Sequence, residues 1–147
     1  IRALLSAAGL PDEDVGAHLA TLLAGVQQGG VVAAGGLEPL GEACLLRSIV
    51  VAPAYRGRGW GLRMTRRLLD LAHCLGIGEA CLLTTTTADF FATLGFVRAP
   101  RDGAPAAVRG TRQFTALCPA SAVFMRMKIG TLERHPASAR IAEKESQ

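Results

Sequence analysis

SIVVAPAYRGRGWG, residues 48–61, is the stretch that decides the fold of this chain. Its first residues end an apolar segment, Glu42 to Val51, that has the composition of a strand and stops before Pro53. After the glycines, apolar residues recur at helical spacing from Leu62 to Leu75, and Gly76 ends the pattern. A strand, a glycine turn and a helix therefore follow one another directly.

The glycine turn is suited to binding a phosphate group. Glycine lets consecutive backbone N–H groups converge on an anion, and the start of the following helix favours the same negative charge. The residues predicted to hold that anion are Arg56, Gly57, Arg58, Gly59, Trp60, Gly61 and Leu62. A Walker loop is excluded because GxxxxGK is absent, and the strand pair ahead of the turn argues against a Rossmann unit. A tight turn without ligand remains the alternative.

The hydrophobic pattern on either side alternates between helical and extended spacing. Ahead of the turn it predicts a helix tail over residues 1–8, a helix from Pro11 to Gly25, and a hairpin of strands 31–37 and 42–51 around the turn 38–41. Beyond it, the pattern predicts a strand over 80–85, a helix over 88–94, an extended piece from Phe96, a helix over 105–117 and a strand over 122–129. This order indicates an α/β fold with a mixed sheet.

Composition narrows the class of protein. Half of the 147 residues are apolar and 19% are charged, as in a globular domain. No apolar run is long enough to span a bilayer, and the first residues do not resemble a secretory leader, so we expect a cytoplasmic protein without a membrane partner. The sequence lacks an initiator Met and begins inside a predicted helix. No series of aromatic stacking residues accompanies the basic residues that give the net charge of +4, which disfavours a nucleic-acid partner.

The four cysteines form no CxxC pair and have no histidine at zinc spacing. Three of them lie among apolar residues, so Cys44, Cys74, Cys81 and Cys118 are predicted to be reduced thiols, mostly in the core. We therefore expect no metal site.

Two motifs carry a resemblance to a known family. Arg56-x-x-Gly59-x-Gly61 resembles the R/Q-x-x-G-x-G/A signature of the GNAT acetyltransferases, and residues 88–96, ending in Leu94-Gly95-Phe96, are similar to their second conserved block. The resemblance covers residues 1–129 as one domain and leaves 130–147 as a polar tail. It implies a mostly antiparallel sheet with helices on both faces and splayed central strands, without the family's first strand. It also implies acetyl-CoA as cosubstrate and, by analogy, a possible homodimer.

A narrower resemblance concerns the acceptor. The segments Leu82–Thr87 and Leu117–Val123 look like the arsenic-resistance N-acetyltransferases and glutamate N-acetyltransferase domains. This implies a small-molecule amine acceptor, such as a glutamate analogue containing arsenic or phosphorus. A non-catalytic acetyl-CoA sensor and a peptide or protein acetyltransferase are the alternatives.

The resemblance also implies which residues hold the cosubstrate. Backbone groups of Ile49, Val50 and Val51 would contact the pantetheine and the oxyanion, and Thr85 and Phe91 would lie beside the cofactor. The family's usual general acid is a tyrosine where this chain has Phe91, and a phenyl ring cannot donate a proton. Ser121, Cys118 or water could replace it, or the thiolate could leave unassisted.

The acceptor side has candidates from the sequence itself. Arg47 interrupts an apolar strand, and a buried guanidinium suits a substrate carboxylate, with an internal ion pair as the alternative. Ser48 follows it. Glu38 and Glu42, predicted to flank the hairpin turn, are candidate bases acting through water. Tyr55 is expected to be structural.

Overall fold

The computed structural model describes residues 2–7, 21–112, 114–115 and 120–130. Four helices lie in these ranges: α1 Arg2–Ala7, α2 Trp60–Cys74, α3 Ala88–Thr93 and α4 Ala106–Arg109. Six strands are β1 Leu22–Gln27, β2 Gly30–Leu40, β3 Ala43–Val51, β4 Glu79–Thr84, β5 Val97–Ala99 and β6 Val123–Lys128. None of the helices within the described ranges is long and apolar enough to cross a membrane.

The strands form one sheet in the order β1-β2-β3-β4-β6-β5. Four of its neighbouring pairs are antiparallel, and β3 with β4 is the parallel pair. The β3–β4 register covers three positions, from Ala43 opposite Glu79 to Leu45 opposite Cys81. Beyond these positions the two strands diverge, and the sheet opens at their carboxyl ends.

A β-bulge in β3 lies beside this opening. Ala34 of β2 is opposite Val50 and Gly36 is opposite Arg47, so Ser48 and Ile49 together face the single residue Gly35. Ser48 has φ of 59°, a left-handed conformation that is rare outside glycine and short polar residues. The bulge changes the alternation of the strand: Ile49 and Val51 pack under α2, whereas Val50 packs with Leu5 of α1.

Helices cover both faces of the sheet. α2 and α3 share the larger core, where Met64 and Leu68 of α2 reach so close to Gly35 that a Cβ there would lie 2.8 Å from Met64. α4 covers a second cluster with Leu45, Cys81 and Phe124, on the face that α1 also covers. The absence of a side chain at Gly35 therefore lets α2 pack close to the sheet centre.

Most of the predicted architecture is confirmed. The α/β class, the mixed and mostly antiparallel sheet, the helices on both faces and the splayed central strands are all observed. The second hairpin strand, the helix after the glycine turn, the two later strands and the helix over 88–94 lie within one or two residues of their expected bounds. The first hairpin strand extends to Leu40, beyond its expected end at Leu37. The predicted helix over 105–117 is described in part, as α4 and helical residues at 112, 114 and 115; positions 113 and 116–117 lie outside the described residues.

Two predictions were wrong. The helix expected from Pro11 to Gly25 is wrong at its end, because Leu22–Gln27 is a strand that pairs with β2. The part of this helix over residues 11–20 lies outside the described residues. The turn expected over residues 38–41 is also shorter, because Glu38 pairs with Leu45 and Pro39 with Cys44. Glu38 is thus a strand residue, and only Gly41 and Glu42 make the turn.

Candidate functional site

The glycine turn ends at an open helix start. Gly59 precedes α2 with φ of 84°, and Gly57 has φ of 77°. Because glycine has no side chain, Gly59 cannot cap the helix, and the first N–H groups of α2 have no intrahelical acceptor. A Cβ at Gly57 or Gly59 would meet nothing within 4 Å. The turn therefore presents free space, backbone donors and the positive end of a 15-residue helix to an anion.

Three arginines surround this turn in different ways. The Nε of Arg56 donates to the carbonyl of Val51 at 3.1 Å and ties the turn to the end of β3. The guanidinium of Arg58 lies 5.5 Å from the ring centre of Tyr55, and that of Arg63 lies 4.3 Å from Trp60. Tyr55 thus contacts an arginine of the turn. The cationic charge would favour the same anion as the backbone.

The mouth of the opening lies where the end of β3, the start of α2 and the helix α3 meet. A Cβ at Gly61 would lie 3.4 Å from the ring of Phe90 and 4.0 Å from Val51. Phe90 is partly exposed, whereas Phe91 is buried and makes edge-to-face contacts with Phe90 and Phe96. Val51, Gly61 and Phe90 therefore meet at the mouth of the opening.

The opposite face of the opening carries an arginine and an acid. Arg47 is only 4% exposed, on the same face as Leu45, and its Nε lies 3.4 Å from the hydroxyl of Ser48. Glu38 is half-buried and opposite Leu45, so it lies on that face as the diagonal neighbour of Arg47. Such neighbours have Cβ atoms about 7–8 Å apart, within reach of two long side chains.

The far rim is formed by the end of β4 and the start of β6. Thr84 pairs with Val123, which brings the exposed Ser121 to the same end of the sheet as the glycine turn. The Thr84 and Thr87 hydroxyls lie 2.6 Å apart, and the N–H of Thr87 donates to the Thr84 hydroxyl, so the threonines shape the turn into α3. Thr85 is exposed in that turn.

One arginine fixes the rim near Ser121. Arg101 donates to the carbonyl of Ala122 at 3.1 Å and to that of Phe114 at 3.2 Å, and its guanidinium lies 4.6 Å from the Phe114 ring centre. Buried carbonyls outside regular structure need such donors. Arg101 thereby joins the start of β6 to the segment after α4.

A protein-family model matches the part of the chain that contains the glycine turn and α3. The model of the acetyltransferase (GNAT) domain matches residues 18–98, more than half of the chain. The chain belongs to the GNAT acetyltransferase family. No curated protein sequence matches this GNAT chain significantly.

Solved structures share the fold of the GNAT chain. N-acetylglutamate synthase from Neisseria gonorrhoeae, complexed with coenzyme A and N-acetyl-glutamate, is 20% identical with a TM-score of 0.74 over 86% of this chain. The match covers 31% of that enzyme, so the chain spans less than a third of its length. Rv2747 from Mycobacterium tuberculosis, in complex with CoA, is 22% identical with a TM-score of 0.75, covering 86% of this chain and 90% of that one. An aminoglycoside 6′-N-acetyltransferase complexed with coenzyme A is 16% identical with a TM-score of 0.65, covering 87% and 88%.

The buried thiols of the GNAT domain are not suited to act as nucleophiles. The pKa of Cys44 and of Cys81 is raised from 9.0 to about 12, mainly by burial, with the charge of Glu79 contributing to both shifts. Glu79 itself is paired with Arg126. Both thiols are therefore protonated at neutral pH. Among the described residues, no three His, Cys, Asp or Glu side chains come together to hold a metal ion.

The GNAT structure brings most of the predicted site residues to one end of the sheet. These are Arg47 to Val51, Arg56 to Leu62, Thr85 and Ser121. Glu42 lies in the turn at the other end of β3, and Cys118 is outside the described residues. Sequence reasoning missed Phe90 and Arg101. Phe90 directly precedes Phe91 in the predicted helix and could have been found from that position. The contacts of Arg101 follow only from the fold.

Proposed function

We propose that this GNAT chain transfers the acetyl group of acetyl-CoA to the amine of a small amino-acid-like acceptor. The observation that carries the proposal is the opening between β3 and β4, with the glycine turn at its end. The cosubstrate's pyrophosphate would lie on the N–H groups of residues 57–62, and its pantetheine would pass between Val51 and Phe90. The reactive thioester would then lie within the gap.

The reaction we infer needs no acyl-enzyme. The neutral amine attacks the thioester carbonyl carbon, the C–N bond forms, and the tetrahedral intermediate collapses with cleavage of the C–S bond. Main-chain N–H groups of β3 that face the gap would stabilise the oxyanion. The attacking nitrogen gives up one proton to water as the amide forms. CoA leaves as a thiolate and takes a proton from Ser121 or water, because the phenyl ring of Phe91 has none to give.

We infer that the acceptor carries both a carboxylate and an amine. The buried guanidinium of Arg47 offers bidentate donors to a carboxylate, and the nearby Glu38 suits an ammonium group or a water that removes its proton. This pair lies on the face opposite α2, so the acceptor would approach from the side away from the cosubstrate. Glutamate and its arsenic- or phosphorus-containing analogues fit this description.

Thiol release from acetyl-CoA tests the proposal. Purified protein should release CoA thiol with glutamate, phosphinothricin or arsinothricin, and much more slowly with an aminoglycoside or a peptide amine. Glu38→Gln should lower kcat/KM about a hundredfold, since a general base contributes at least that much. The matched control Glu42→Gln, in the exposed turn, should keep kcat/KM within about threefold. If none of these amines causes release of the CoA thiol, the acetyl-transfer proposal is wrong.

A second candidate is a module that binds acetyl-CoA without turnover. It is favoured by one observation, the packing of Phe91 in the core between Phe90 and Phe96. This module would be stabilised thermally by CoA, and a broad amine panel would produce no thiol. Thiol release with any acceptor excludes it.

A further inference from the structure

A groove of about 340 Å³ lies between the strand β1 and the helix α2. Its apolar part is formed by Leu23 and Gly25 of β1 together with Trp60 and Met64 of α2. The indole lies against the strand backbone, since a Cβ at Gly25 would be 2.6 Å from its Cζ3 atom. The missing side chain at position 25 thus lets the indole of Trp60 lie against β1, where it lines the groove.

The rim of this β1–α2 groove is cationic. Arg63 and Arg67, one helical turn apart on α2, both line it, and none of the lining residues within the described part of the chain is acidic. The Arg63 guanidinium lies 4.3 Å from the Trp60 ring centre, which orders it above the apolar floor. An apolar floor beneath two guanidinium groups is complementary to a ligand with an apolar body and a carboxylate.

The groove is separate from the cosubstrate opening. α2 crosses the sheet at Gly35 of β2, so β1 lies on one side of the helix and the β3–β4 gap on the other. The consecutive residues Trp60 and Gly61 illustrate the division, because Trp60 contacts Gly25 of β1 whereas Gly61 faces Phe90 of α3. The site does share the first turn of α2 with the proposed phosphate cradle.

We propose that the β1–α2 groove is a second binding site, for a small organic carboxylate with an apolar body. Arg63 and Arg67 bind the carboxylate, and Leu23, Trp60 and Met64 contact the apolar part. A volume near the lower end of the range for ligand pockets, about 300–1,000 Å³, limits the occupant to a small molecule. This site does not depend on acetyl transfer.

The single tryptophan of the chain makes the proposal directly testable. In a ¹H–¹⁵N spectrum of the full chain, the indole N–H of Trp60 gives one resonance. Benzoate should shift that resonance saturably, whereas benzamide, of the same shape but uncharged, should not shift it. Arg63→Gln and Arg67→Gln should each weaken benzoate binding about tenfold, the loss expected for one charge-assisted contact.

The control is Arg66→Gln, an exposed arginine of α2 that does not line the groove. It should change benzoate affinity by no more than about twofold, because its charge is screened by solvent. Saturating CoA should leave the benzoate response in place. The proposal is overturned if benzamide shifts the Trp60 resonance as much as benzoate does, or if Arg66→Gln weakens benzoate binding as much as Arg63→Gln and Arg67→Gln do. It is also overturned if CoA displaces benzoate and dephospho-CoA does not. The last result would assign the groove to the 3′-phosphate of CoA.

Discussion

Arg47 shows how much a single buried side chain contributes to the argument. The sequence indicates its burial, because it interrupts the apolar run Cys44-Leu45-Leu46, and the structure confirms 4% exposure. The sequence could not indicate its neighbour. Glu38 is placed beside Arg47 by a β2–β3 register that extends through Pro39, a residue more typical of turns.

Arg47→Lys is expected to separate acceptor binding from cosubstrate binding. Lysine keeps the charge and loses the planar fork, so the KM for an acidic acceptor should rise about ten- to a hundredfold while the KM for acetyl-CoA stays within about twofold. Steady-state kinetics measure both values. The control Arg98→Lys changes an exposed ion pair with Asp89 and should leave both unchanged. If Arg47→Lys alters only the unfolding free energy, Arg47 is a structural residue.

At the scale of elements, prediction succeeded where local signals agree with the fold. Gly59 and Gly76 flank the two ends of α2 as expected. The leucines and threonine of β4 indicate a buried strand, which is also observed. β1 was missed because Leu22 and Leu23 continue a helical spacing. Its extended conformation follows from pairing with β2 and from contact between Gly25 and Trp60, both of which are long-range. The bulge at Ser48 likewise leaves no signature in the local pattern.

Gly59→Val tests the phosphate cradle. At φ of 84° a β-branched residue is strained, so the turn should distort and CoA affinity should fall at least about tenfold. The fold should persist because the added side chain meets no neighbour within 4 Å. Gly41→Val is the matched control: Gly41 has φ of 76°, equally open surroundings and a position at the opposite end of β3. Calorimetric titration with CoA compares the two, and equal losses would contradict the cradle.

Helix α3 presents two neighbouring phenylalanines with different expected roles. Phe91→Ala removes a buried ring from the core and should lower the free energy of unfolding by about 3–5 kcal/mol. Phe90→Ala removes a ring that is 37% exposed and should cost about 1 kcal/mol, yet raise the KM for acetyl-CoA several-fold. Urea unfolding and initial rates measure both effects. A KM unchanged by Phe90→Ala would remove Phe90 from the cosubstrate path.

For the whole molecule, the two core thiols link stability to pH. In the unfolded chain they lose protons above pH 9.0, whereas burial keeps them protonated in the fold up to a pKa of about 12. The folded state therefore holds more protons in this window, and stability must fall as pH rises from about 9 toward 12. Each thiol accounts for at most about 1.4 kcal/mol per pH unit.

Urea unfolding at pH 8, 9 and 10 measures this dependence. The Cys44→Ala/Cys81→Ala variant should lose less stability between pH 9 and 10 than the parent protein, and the exposed-residue control Cys74→Ala should follow the parent. If the parent protein and the double variant lose the same stability between pH 9 and 10, the two thiols are not the cause of this pH dependence. The sequence alone predicts that these thiols are buried, but their proximity to Glu79 follows from the β3–β4 register.

The divergence of β3 and β4 creates an edge inside the sheet. The pairing of β3 with β4 stops after Leu45, so the later backbone groups of β3 that point toward β4 do not take part in it. On the other side of the strand, β2 still pairs with β3. Such amides are protected against exchange with deuterium only by what fills the gap. Exchange at residues 46–51 should thus be slowed by bound cosubstrate more than exchange at β4–β6, where the ladder is continuous. Protection at the centre of this sheet is then a property of the complex as much as of the fold.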